Sequence, residues 1–112
     1  MPSLTARLIS TLLRTTGVVR RRFSDGPGFE GRIAESREKQ PFPKAKMRAR
    51  LDVRESLFDV RKVFRIAPKN RPVTGQMLFW HGGGYVYPAA DAHWAFMAHM
   101  ADQHGWRIVA PL

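Results

Sequence analysis

The sequence predicts an α/β fold, and four consecutive features of its second half support that prediction. An apolar run that ends at Trp80 has the composition of a buried strand, and glycines follow it at 82–84. Apolar residues then recur at helical spacing over 91–104, and a second apolar run occupies 107–112. This series of strand, turn, helix and strand is typical of two parallel strands joined by a crossover helix.

The spacing of apolar residues in the front of the chain predicts two helices. Apolar residues recur at helical spacing with arginines between them, at Leu4, Leu8, Ile9, Leu12, Leu13, Val18 and Val19. Turn-forming residues at 24–28 interrupt this pattern, and a second helix is expected over 29–39. Pro41 and Pro43 end that helix, because proline lacks the amide hydrogen and disfavours helical geometry in the residue before it.

Two antiparallel strands are expected next. Apolar and polar residues alternate over 47–55 and over 58–66, and the alternation slips at 62–64, which indicates a β-bulge. The third strand, 75–80, ends in an unbroken apolar run, which indicates burial on both faces.

The remaining elements are a helix and a strand. The helix over 91–104 is expected to begin with Asp91 as its N-cap and to stop at Gly105. Its apolar stripe consists of Trp94, Met97, Ala98 and Ala101. The fourth strand, 107–112, is expected to be buried.

The 112 residues carry a formal net charge of +10, concentrated in the front of the chain. Positions 1–50 hold 12 Lys and Arg against 4 Asp and Glu, whereas 51–112 hold 7 against 5. We divide the chain into a basic helical segment with its linker, 1–46, and a sheet-forming segment, 47–112. No cysteine is present, which excludes disulfides and thiolate chemistry, and no run reaches the ~18 apolar residues of a membrane span.

The glycine run is the candidate functional motif. Three glycines directly after a buried strand let the chain turn with no side chain in the way, so that adjacent amides can converge on one negative charge. Amides aimed in this way stabilise the oxyanion that forms during acyl transfer.

The motif and its surroundings resemble the hormone-sensitive-lipase-like esterases, and most closely their bacterial acetyl-hydrolase branch. The resemblance covers the letters His-Gly-Gly-Gly-Tyr-Val at 81–86, Ala-His-Trp at 92–94, and Gly-Trp-Arg-Ile-Val-Ala-Pro-Leu at 105–112. It implies the N-terminal part of an α/β-hydrolase sheet, of about four strands, preceded by two cap-like helices. Such a domain is incomplete.

The resemblance also implies roles for individual residues. The backbone N–H groups of Gly83 and Gly84 correspond to oxyanion-hole donors, and His81, Gly82 and His93 correspond to residues that support the loop. The late position of the triad histidine in this fold argues against His81 as the general base. Two tyrosines near the loop, Tyr85 and Tyr87, have two open interpretations: they line the substrate pocket, or they pack against the cap.

The rest of the catalytic machinery is missing from these residues. The family's nucleophile lies in Gly-x-Ser-x-Gly, and its acid and histidine follow later in the chain. None of the serines lies between glycines at that spacing; they are Ser3, Ser10, Ser24, Ser36 and Ser56. We therefore expect a fragment of a carboxylic ester hydrolase, specific for short-chain or acetyl esters, that is inactive alone. Its partner would be a small-molecule ester once the enzyme is complete.

The role of the basic segment at the front of the chain has three open interpretations. In the resembling family an N-terminal helix belongs to the cap, but residues 1–22 also have the character of an amphipathic contact with an anionic membrane surface. A targeting segment is the third option, because no acid precedes Asp25. The second function hypothesis is accordingly a noncatalytic fragment that binds membrane surface. The expected location is the cytoplasm, with peripheral membrane contact as an option.

No cofactor, metal or nucleic acid is expected. On a helix, His93 and His99 project about 120° apart, and His93 and His104 lie ~16 Å apart along the axis, too far for one ion. The positive charge is accompanied by no nucleic-acid-reading motif.

Overall fold

The structure, a computed structural model, describes residues 3–22, 24, 26–83 and 86–112. The chain forms two compact units, Met1–Glu35 and Ser36–Leu112. The functional division at 46/47 stays a prediction.

The first unit contains α1 (Leu4–Thr16) and α2 (Val18–Arg22). Ser3 caps α1 by accepting a hydrogen bond from the Ala6 amide, at 3.2 Å. The continuous helix expected up to Val19 is divided, because Gly17 adopts a left-handed conformation with φ of 61°. Neither helix contains a buried residue.

The second predicted helix is confirmed as α3 (Phe29–Glu38). A fourth helix, α4 (Ala45–Arg50), corrects the prediction that a strand begins at position 47. Its residues Ala, Lys, Met and Arg have high intrinsic helix propensity. Lys69 Nζ donates hydrogen bonds to the carbonyl oxygens of Arg48 and Ala49, at 2.7 and 3.1 Å, so a cation satisfies the helix's C-terminal carbonyls.

The next two strands, β1 (Leu51–Phe58) and β2 (Arg61–Pro68), form an antiparallel hairpin. Their register is continuous from Leu51↔Pro68 to Phe58↔Arg61, a segment that the structure describes in full, so the predicted bulge at 62–64 is wrong. The apparent slip arises because position 60 belongs to the turn and not to the second strand. The turn consists of Asp59 and Val60, and Asp59 has φ of 56°.

A parallel pair, β3 (Gly75–Leu78) and β4 (Trp106–Pro111), completes a four-stranded sheet of order β1-β2-β4-β3. The α/β class and the four-stranded sheet are therefore confirmed. Burial of the third strand on both faces is not: Leu78 and Trp80 each remain 65% exposed. The strand lies at the sheet edge, and only the face that carries Met77 and Phe79 packs against the core.

The crossover helix α5 (Asp91–His104) covers one face of the sheet. Its predicted stripe is confirmed, with Trp94, Met97 and Ala101 buried. The predicted N-cap is wrong by one residue: Ala90 occupies that position, and Asp91 begins the helix and forms an ion pair with Lys44 at 2.9 Å. Gly105 ends the helix as predicted, in a left-handed conformation with φ of 70°.

The core lies between α5 and the sheet. The rings of Phe64 and Trp94 meet edge to face with centroids 5.1 Å apart, and the Trp94 indole N–H donates to the carbonyl oxygen of Pro41 at 2.8 Å. None of the described helices combines the length and the apolar content that a membrane crossing needs.

Candidate functional site

The glycine loop leaves the sheet at the carboxyl end of β3. Pairing with β4 continues one residue past the strand, because the Phe79 amide donates to the carbonyl oxygen of Val109 at 2.8 Å. Trp80 and His81 then leave the sheet, and the glycines follow. Ligands of open α/β sheets bind beyond the carboxyl ends of the strands, so the loop occupies the expected edge for a site.

Gly83 is fixed in a conformation that excludes a side chain. Its φ is +138°, and a Cβ atom there would lie 2.7 Å from the carbonyl oxygen of Tyr87. Its own carbonyl oxygen accepts hydrogen bonds from the amides of Val86 and Tyr87, at 3.3 and 3.1 Å. These bonds close a tight turn, and only glycine satisfies both the φ angle and the close approach.

The amides of this turn have the property that an anion site needs. Among the described residues, none accepts a hydrogen bond from the backbone N–H of Gly82 or Gly83. Gly82 is exposed, and its Cβ position is open. An N–H that no protein group uses is available to water or to an anionic ligand. Gly84 and Tyr85, the other two predicted site residues of this stretch, lie outside the described residues.

Two predicted support residues meet beside the loop. The rings of His81 and His93 have centroids 5.9 Å apart, although they lie on different elements. His81 Nδ1 donates to the carbonyl oxygen of Gly82 at 2.9 Å. His93 Nδ1 accepts from the Ala90 amide, also at 2.9 Å, which satisfies a donor at the start of α5. The pair thus connects the glycine loop to the helix that follows it.

The chemistry of His93 is set by its surroundings. An Nδ1 atom that accepts a hydrogen bond belongs to a neutral imidazole whose proton is on Nε2. Burial, and secondarily the nearby His81, lowers the pKa of His93 below its ordinary value of 6.5. Both effects keep the ring in the state that its hydrogen bond requires.

Tyr87 lies where the loop meets an open cavity. The residue is only 6% exposed, and its neighbours around a cavity of about 700 Å³ include His81, Val86 and Pro88. Arg37, Gln40 and Arg61 contribute polar groups to the same cavity from distant parts of the sequence. No local sequence pattern identifies these three residues, because only the fold places them near the loop.

The five serines, all of which lie among the described residues, occupy helix ends, helices and a strand. Ser3 caps α1, Ser24 Oγ donates to the carbonyl oxygen of Arg21, and Ser56 Oγ donates to that of Val63. Ser10 and Ser36 lie within α1 and α3. Within the described part of the chain, no group of three His, Cys, Asp or Glu side chains is arranged to hold a metal ion.

Comparison with known proteins adds support at the level of the fold. No protein-family model matches the sequence, and no curated protein matches it. The crystal structure of an esterase candidate from Staphylococcus aureus matches with a TM-score of 0.57 and 14% identity, over 74% of this chain and 28% of that one. A second crystal structure, of ESTFA in an iron-lacking apo form, matches with a TM-score of 0.42 and 15% identity, over 78% and 36%.

The first match shows an esterase-like α/β fold and nothing finer, because its sequence identity is low. This chain spans less than a third of the length of that protein. The second match has too low a TM-score to carry an argument.

Proposed function

We propose that this chain supplies the oxyanion-binding part of a carboxylic ester hydrolase of the α/β-hydrolase type, acting on acetyl or other short-chain esters. The observation that carries the proposal is the Gly83 turn, where a side chain is excluded and the amide has no acceptor among the described residues. The esterase-like fold of the neighbouring structure supports it.

The role of the loop follows from the charge that develops in ester hydrolysis. When a nucleophile attacks the ester carbonyl carbon, the carbonyl oxygen becomes an oxyanion, and preorganised N–H groups stabilise it. Gly83 provides one such N–H, and the resemblance assigns a second to Gly84. The cavity beside Tyr87 then receives the acyl or alcohol group, while His81 and His93 hold the loop.

The nucleophile must come from elsewhere. In the family that the chain resembles, a serine in Gly-x-Ser-x-Gly attacks, and a later histidine takes its proton. No serine of this chain has that context. We therefore expect no ester hydrolysis from these 112 residues alone.

The test is a full enzyme that joins this chain to a segment carrying Gly-x-Ser-x-Gly, an acid and a histidine. It should hydrolyse chromogenic acetate or butyrate esters. Gly83→Ala should reduce kcat ~100- to 1,000-fold, the usual effect of losing one oxyanion donor. Gly82→Ala is the matched control, because its Cβ position is open, and it should keep most of the activity.

Two results would contradict the proposal. One is a folded, complete enzyme with no activity on either ester. The other is an active enzyme in which Gly83→Ala and Gly82→Ala have equal, small effects.

A further inference from the structure

Helix α1 carries an apolar face whose side chains are exposed, and it contains no buried residue. Leu4, Leu8 and Leu12 recur every four residues and remain 79%, 70% and 62% exposed. Ile9 and Leu13 lie next to them at 53% and 42% exposure. Large apolar side chains that share one helix face and stay exposed typically mark an interaction site.

The opposite side of the same helix is cationic. Arg7 and Arg14 are seven residues apart, so they project about 20° from each other. Arg20 and Arg21 follow in α2, and the sequence contains no Asp or Glu before Asp25. A surface of this kind, apolar on one side and positive on the other, complements a boundary between hydrocarbon and negative charge.

The helix also satisfies its own polar groups. Thr15 Oγ1 donates to the carbonyl oxygen of Thr11 at 2.9 Å, and Thr16 Oγ1 donates to that of Leu12 at 2.7 Å. Ser3 satisfies an amide at the other end. Hydroxyl groups that are bonded within the helix need fewer waters, so the helix enters a less polar medium at lower cost.

A groove between α1 and α2 combines both kinds of side chain. Ile9, Leu13 and Val19 form its apolar wall, and Arg14 and Arg20 also line it. An acyl chain fits against the first set and a lipid phosphate against the second, since arginine binds phosphate through several N–H groups at once.

We propose that residues 3–22 form a docking surface for an anionic phospholipid membrane. The α1 helix lies in the plane of the interface, with Leu4, Leu8 and Leu12 among the acyl chains. Its arginines, together with those of α2, contact lipid phosphates. This role is independent of the proposed ester hydrolysis, and each can fail without the other.

The first experiment is sedimentation of the full 112-residue chain with vesicles of phosphatidylcholine, with or without phosphatidylserine. Binding should require phosphatidylserine and weaken as salt is raised, because salt screens exposed charges. Equal recovery with both vesicle types would overturn the proposal. A second result would also overturn it: a DNA fragment displaces the chain completely from the vesicles, and substitution of the leucines leaves the vesicle binding unchanged.

The apolar contribution is tested by a triple variant, Leu4→Ser with Leu8→Ser and Leu12→Ser. Its binding constant should fall about tenfold or more, since each leucine no longer buries its side chain. The matched control is Leu57→Ser with Phe58→Ser and Val60→Ser, which removes three equally exposed apolar side chains from the hairpin and should bind normally. A normal triple leucine variant, or a control that loses binding, would contradict insertion of α1.

The cationic contribution is tested by Arg7→Gln with Arg14→Gln and Arg20→Gln. Each arginine near an anionic surface contributes about fivefold, so the triple variant should bind about 100-fold more weakly. The control, Lys46→Gln with Arg65→Gln and Arg107→Gln, removes the same charge from the second unit and should retain most of the binding. Equal losses in both variants would mean that net charge alone attracts the chain to the vesicles.

A variant that gains a signal tests the orientation without relying on a loss of binding. The fluorescence emission of the Leu8→Trp variant should shift to shorter wavelength when phosphatidylserine vesicles are added, and this shift should exceed that of the parent chain. Leu57→Trp should show no such shift. An unshifted Leu8→Trp on bound protein would overturn the proposed orientation.

Discussion

At the scale of single residues, His93 lies between the glycine loop and α5, and its hydrogen bond depends on its protonation state. Its Nδ1 atom accepts a hydrogen bond from the Ala90 amide, and the centroid of its ring lies 6.0 Å from that of Phe79 and 5.9 Å from that of His81. Protonation of His93 at Nδ1 removes the acceptor that the Ala90 amide uses. A neutral His93 is therefore part of the folded arrangement.

We predict that nuclear magnetic resonance titration gives His93 a pKa below 6.5. His81→Asn should raise the pKa of His93 and still leave it below 6.5, because burial is the larger cause and the charge of His81 the smaller one. A His93 pKa that is unaffected by the substitution, or that lies above 6.5, would disagree.

The same shift has a consequence for stability. Because the folded state lowers the pKa, the unfolded state binds the proton first, so this contribution is complete above pH 6.5 and is lost as pH falls through the folded-state value. His93→Asn should flatten the decline of the melting temperature in that interval. If the variant and the parent show the same dependence of melting temperature on pH, then His93 does not cause the decline.

At the scale of elements, the two-residue turn of the hairpin depends on a left-handed residue. Asp59 has φ of 56°, and it joins Phe58 to Arg61, the last pair of the ladder. Asp tolerates this conformation better than most residues, whereas β-branched side chains do not. The turn therefore fixes where β2 begins, and with it which residues of β2 face the core.

We predict that Asp59→Val lowers the free energy of unfolding by about 1 to 2 kcal/mol, the cost of a left-handed conformation for a residue with a branched Cβ. Asp59→Gly should change it little. Urea denaturation measures both. Equal stabilities for the two variants would argue against a left-handed residue at position 59.

The contact between α5 and the sheet is the second element-scale determinant. Met97 is fully buried and packs in the cluster that includes Phe64, Ile66 and Ile108. We predict that Met97→Ala lowers the free energy of unfolding by about 2 to 5 kcal/mol, through lost burial and the cavity left behind. Gln103→Ala, on the exposed side of the same helix, should stay within about 0.5 kcal/mol of the parent, and chemical denaturation distinguishes them.

At the scale of the whole molecule, the sheet packs against α5 on one face and ends in the partly apolar edge strand β3. Trp80 and Leu78 extend the exposed surface of β3, and Phe96 on α5 is 44% exposed. The four strands thus present backbone and apolar groups in a form that associates readily with another polypeptide.

We predict that Leu78→Lys reduces self-association measured by light scattering at increasing protein concentration. Gln76→Lys is the control, because it adds the same charge two residues earlier on the same strand face without removing an apolar side chain. The leucine variant should have the larger effect. Equal effects would assign the change to charge alone.

The predictions for the apolar stripe of α5 and for its C-terminal end were accurate because the information there is local. Helical spacing of Trp94, Met97 and Ala101, followed by Gly105, fixes both the buried face and the end. The start of the first strand was wrong because Met47 and Leu51 fit either alternation or helical spacing. The Lys69 contact that ends α4 lies far away in sequence, so no local pattern could reveal it.

By itself, the sequence determined the α/β class, the position of the glycine loop after a strand, and the concentration of positive charge in residues 1–50. Each of these depends on residue type and spacing along the chain. Only the tertiary structure decided that His81 meets His93, that Tyr87 excludes a side chain at Gly83, and that β3 is an edge. The first and the last are relations between elements separated in sequence, and the second is a backbone conformation of the turn that residue types alone do not fix.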